Sequence, residues 1–143
     1  MTNICLEDAV AIIDATLAKA RELELNPMTA VVLDTGGQIV ALKKEDNSAL
    51  MRADIAIGKA YAALGMGIST AVLEERAKDR PWFIDSLASV AHGKFVPVAG
   101  AHLLRDKDGV LVGALGVTGA PSVKDVECAR AGIAAAGYTT DDD

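Results

Sequence analysis

Two glycine-bearing turns, Asp34-Thr35-Gly36-Gly37 and Asp106-Lys107-Asp108-Gly109, constrain this chain more than any other feature. Short apolar runs flank each of them: Met28–Leu33 and Ile39–Leu42 around the first, Ala101–Leu104 and Val110–Val117 around the second. Residues that tolerate positive φ between two such runs predict a β-hairpin. Apolar positions recurring every three or four residues predict helices over Leu6–Leu23, Ser48–Ile68 and Ala71–Lys78, a further helical turn or two over Trp82–Ala91, and a last helix opened by Pro121-Ser122 and running to Ala136. Asn26-Pro27 and Arg80-Pro81 punctuate this pattern, because the residue before proline avoids the helical region. Phe95-Val96-Pro97-Val98 also reads as extended, with Pro97 confining it to an edge or a bulge. In the order α-ββ-αα-ββ-α the hairpins cannot form parallel crossovers strand by strand. The expected architecture is an antiparallel sheet with helices packed on it, an α+β fold.

At 143 residues the chain is expected to make one domain, 1–143, with Asp141-Asp142-Asp143 as a frayed tail. Hydrophobic residues reach 51% but aromatic ones only 3%, so backbones must pack closely through small aliphatic side chains. A net charge of −6 argues against nucleic acid, which calls for a basic stripe and stacking rings. No apolar run approaches the roughly 18 residues of a membrane span. Met1–Cys5 carries neither a basic region nor an apolar segment of signal-peptide type. Cys5 and Cys128 lie far apart in sequence, which suits a reduced compartment without a disulfide framework. A cytoplasmic location is therefore expected.

Chemistry has few places to reside. No His-x-x-x-His, Cys-x-x-Cys or Gly-x-Ser-x-Gly pattern is present. His92 precedes Gly93 at a predicted helix end, where its charge suits the helix dipole. His102, in a predicted strand beside Gly100, is the better ligand candidate. Lys59 interrupts an apolar helix, and Lys44 and Asp46 belong to the charged end of the first hairpin. The segment Gly113-Ala114-Leu115-Gly116-Val117-Thr118-Gly119 is the most informative. Its glycines leave room above a strand that delivers the chain into a helix N-terminus, where free N–H groups favour an anion. Ser122 and Asp125 stand at capping-box spacing and are expected to satisfy those donors themselves.

Taken together, Asp34-x-x-Gly37, Ala53-Asp54-Ile55-Ala56 with Lys59-Ala60, Gly109 through Gly119, and Asp125-x-Glu127-Cys128-Ala129-x-x-Gly132 resemble the GlcG/HbpS-like family. That family takes in the haem-binding sensor HbpS and the C-terminal domains of PduO-type proteins. The resemblance implies a profilin-like α-β-α sandwich around a five-stranded antiparallel sheet, a homo-oligomer, and haem or a related tetrapyrrole as ligand. Two departures stand out: Lys44-Glu45-Asp46-Asn47 replaces the family's Arg-Met-Asp-Gly, and Gly100-Ala101-His102-Leu103 replaces Gly-Gly-x-Pro.

The leading expectation is a non-enzymatic small-molecule-binding protein that holds haem or another carboxylated ligand between the glycine strand and its neighbouring helices. His102 would contact the haem iron and Lys59 or Lys44 the carboxylates, with Asp46, Gly116, Thr118, Gly119 and Glu127 around them. The alternative is an enzyme or accessory protein acting on a small organic acid, with Asp46, Lys59 and Glu127 as acid–base groups. A third expectation is an accessory oligomer whose apolar helices pack subunits.

Overall fold

The computed structural model describes residues 3–141. Along the chain these form α1 (Leu6–Glu22), β1 (Thr29–Leu33), β2 (Ile39–Lys44), α2 (Arg52–Met66), α3 (Thr70–Asp79), α4 (Pro81–Val90), β3 (Ala101–Arg105), β4 (Leu111–Thr118) and α5 (Ser122–Ala135). The order matches the expected one except that a third helix, α4, stands between the hairpins. All strand pairs are antiparallel, in the spatial order β2-β1-β4-β3. The two hairpins join through their inner strands, with Thr29 opposite Thr118 and Leu33 opposite Ala114.

The sheet has four strands, not five. Residues 95–98 stay outside the ladder because Pro97 has no N–H to give it. Val96 instead donates its N–H to Gly58 O at 3.2 Å, so the segment lies along α2. On the outer side of β3, Arg105 and Thr139 exchange backbone bonds of 2.9 and 3.0 Å, a single bridge rather than a strand.

Strand alternation divides the core between two faces. Ala30 and Val32 of β1 pack with Ile12 and Ile13 of α1 and Ala129 and Ile133 of α5. Val31 and Leu33 face the other way, onto Ala56 and Ala60 of α2. Helices therefore cover both faces of the sheet. Close approach explains the small residues. A Cβ on Gly132 of α5 would come 2.0 Å from Thr16 Oγ1 of α1, and one on Gly116 of β4 would come 2.2 Å from Ala56 O of α2.

The C-terminal segment is fastened rather than loose. Arg105 forms an ion pair with Asp141, while Asp142 and Asp143 of the expected frayed tail lie outside the described residues. Tyr138 donates its hydroxyl to Asp8 Oδ2 at the start of α1. Burial, then this hydrogen bond, push the phenol above its ordinary 10.0. The native chain thus keeps a proton that the unfolded chain loses, and this contribution is full below pH 10 and lost above it. Denaturant midpoints should fall between about pH 9 and about pH 11, and fall less in Tyr138→Phe.

Candidate functional site

Of the two histidines, His92 reaches solvent and His102 does not. The helix end explains the first. Gly93 N–H bonds to Ala88 O at 2.7 Å and His92 N–H to Ser89 O at 3.2 Å, the paired bonds of a Schellman motif. This motif sets His92 at φ 54°, a left-handed position that glycine would occupy more readily. The imidazole borders a hollow of about 360 Å³, with Gly37, Gln38 and Ile39 of the first hairpin on one side and Asp54 and Ile57 of α2 on the other. Lys94 completes the rim, its Nζ 5.6 Å from the centre of the Tyr61 ring. The hollow thus offers an imidazole, an ammonium, the Asp54 carboxylate and two isoleucines, a mixed polar and apolar lining.

His102 stands opposite Leu115 in β3 and is 0% exposed. It shares strand parity with Leu104, which packs on the α1 and α5 side of the sheet. Lys59 is equally enclosed. Its Nζ lies 3.2 Å from Asp125 Oδ2 and 3.0 Å from Val117 O, with the two side chains 3% and 2% exposed. Burial pushes Lys59 down and Asp125 up from their ordinary values, each only partly offset by the other's charge. The lysine is thus committed to joining α2 and α5 across the end of the sheet.

The expected capping box at α5 is not formed. Pro121 occupies the N-cap position without a side-chain bond, and Asp125 turns inward, accepting from Ala120 N–H at 3.1 Å as well as from Lys59. The room expected above the glycine strand is filled by protein. Gly116 meets the α2 backbone, and a Cβ on Gly119 would lie 2.4 Å from Pro27 O.

Asp46, Lys59 and Glu127 lie in three separate surroundings. Asp46 shares an open hollow with Arg21 and Lys44, whereas Glu127 pairs on the surface with Lys124 at 3.1 Å. Lys44 and Thr118 lie in one row across the sheet, on either side of Thr29. Sequence reading passed over Arg52, whose Nη1 donates to Thr118 Oγ1 at 2.8 Å. It also set His92 behind His102; the glycine after His92, a mark of a left-handed helix end, was the usable signal.

A sheet covered by helices on both faces, with a surface hollow rimmed by an imidazole and an ammonium, defines an α+β domain suited to binding a small ligand. Residues 4–134 match the family model described as "Haem degrading protein HbpS-like", and the chain belongs to that family. The corrinoid adenosyltransferase PduO of Salmonella typhimurium is 27% identical over 121 residues, 85% of this chain and 35% of that protein. PduO of Citrobacter freundii is 29% identical over 126 residues, 88% of this chain and 37% of that protein. The chain thus spans about a third of the length of these relatives. The crystal structure of a PduOC:heme complex superimposes with a TM-score of 0.86 at 26% identity, covering 98% of this chain and 99% of that one. A double mutant of Streptomyces reticuli HbpS gives 0.81 at 27%, covering 94% and 87%. Among the described residues, no single helix is long and apolar enough to cross a membrane.

Proposed function

We propose that this chain binds haem, or a related tetrapyrrole bearing carboxylates, at the hollow around His92. The observation that carries the reading is the near end-to-end likeness to a domain crystallised with haem. The residues present suit such a group. His92 is the accessible imidazole and would ligate the iron, Lys94 would pair with a carboxylate, and Ile39 and Ile57 would supply apolar wall. Haem, when bound, would supply a redox-active iron; the chain would supply an imidazole nitrogen, a counter-charge and partial exclusion of water. Local charge matters here because the chain as a whole is at −6. At physiological salt, screening limits the distant acids to about 8 Å, so the charges that act here are those on the rim, Lys94 and Asp54.

Haemin that binds the native state but not the unfolded chain raises the melting temperature in proportion to RT ln(1 + [L]/Kd). Haemin at about a hundredfold above Kd should therefore add about 2.7 kcal/mol. An unchanged melting curve at saturating haemin overturns the reading.

A homo-oligomer belongs to the same proposal. Trp82 and Val90 on α4 and Val123 on α5 are 68%, 72% and 77% exposed, and apolar side chains so placed favour a cover. Light scattering should return a multiple of 14.8 kDa; the mass of one chain would contradict it.

A further inference from the structure

Three adjacent strands set a polar row at one end of the face that carries α2. Lys44 of β2 and Thr118 of β4 both stand opposite Thr29 of β1, and directly opposed residues share a face. Arg52, the first residue of α2, reaches down to Thr118. Burial deepens across the group: Lys44 is exposed, Arg52 half-buried, and Thr118 and Thr29 enclosed. Thr29 Oγ1 has no hydrogen-bond partner among the described residues. A buried hydroxyl left so is unfavourable, because it has given up water without gaining a partner.

The charges around this row are unevenly committed. Glu45 is held by Arg21 at 3.1 Å and by Met28 N–H at 2.8 Å, and Asp125 by Lys59. Asp54, the acid in the first turn of α2, borders the His92 hollow instead. Arg52 and Lys44 pair with no carboxylate among the described residues, and no side chain caps α2. Thr118 Oγ1 accepts from Arg52, so its own O–H remains to donate.

We propose that this row binds a single carboxylate. Arg52 presents its guanidinium fork, Lys44 adds charge from the solvent side, and the hydroxyls of Thr118 and Thr29 donate from below. The carboxylate comes either from a free small acid or from the acidic arm of a larger ligand. Amide spectra recorded in sodium acetate and in sodium chloride of equal ionic strength separate the two sources from no site at all. Acetate-specific shifts at Thr29, Arg52 and Thr118, weakened about tenfold in Arg52→Gln, assign the row to a free acid. No acetate shift, with haemin affinity falling about threefold in both Arg52→Gln and Thr29→Val, assigns it to the acidic arm. Thr29→Val is nearly isosteric and removes only the unpartnered hydroxyl, so its melting temperature should hold or rise while binding weakens. Neither effect overturns the site, and haemin binding unchanged in both variants leaves the His92 reading standing without it.

Discussion

Asp125→Leu should lower the unfolding free energy by about 3–5 kcal/mol, the cost of leaving one buried charge without its partner. Lys59 Nζ would keep Val117 O as a neighbour but lose the carboxylate that justifies its charge in an enclosed site. Lys59→Met should cost about as much from the other side, because Asp125 would retain only Ala120 N–H. Replacing both, Lys59→Met with Asp125→Leu, should come within about 1 kcal/mol of the wild type or exceed it, since burying an ion pair removes much of its own gain through desolvation. Urea midpoints of the four proteins form the cycle. Additive single losses would mean that the two side chains act independently, against the joint role given to them here.

Gly116→Ala should be nearly as damaging, by about 3 kcal/mol or roughly 10 °C in melting temperature. The new Cβ would face Ala56 O at 2.2 Å and Ala60 Cβ at 3.1 Å, and neither backbone nor an alanine can swing aside. Gly65→Ala is the contrast, because nothing lies within 4 Å of a Cβ there. In that exposed stretch of α2 the same change should stabilise by about 0.4–1 kcal/mol through the unfolded chain. Differential scanning calorimetry of the two variants checks the pair. Equal effects at both positions would mean that the packing of α2 on β4 is looser than the small residues indicate.

The helices and hairpins were legible because each is local. A three-to-four residue apolar period and two glycine turns are written within twenty residues, and the elements fall within a few residues of their expected ends. Contacts made across the chain were not. Lys59 was visible as a charge in an apolar helix, but its partner lies 66 residues away and stood at a position that also suits a helix cap. The same distance hid the filling of the glycine strand: glycine signals close approach, and the sequence does not say whether backbone or ligand approaches. His102 and His92 illustrate the other limit, since solvent access depends on what packs over a strand. Arg52 carried no motif at all; the packing of α2 on the sheet brings it to Thr118, which strand register sets opposite Thr29.

Equilibrium titration with haemin, followed at the Soret band in wild type, His92→Ala and His102→Ala, tests the central claim most directly. Wild type should bind one haemin per chain. His92→Ala should lose at least about tenfold in affinity, or 1.4 kcal/mol, with a changed band position. His102→Ala should keep the wild-type spectrum, its ring being enclosed beneath the sheet's helical cover. A wild-type spectrum in His92→Ala, or no Soret change in any of the three proteins, would contradict the account.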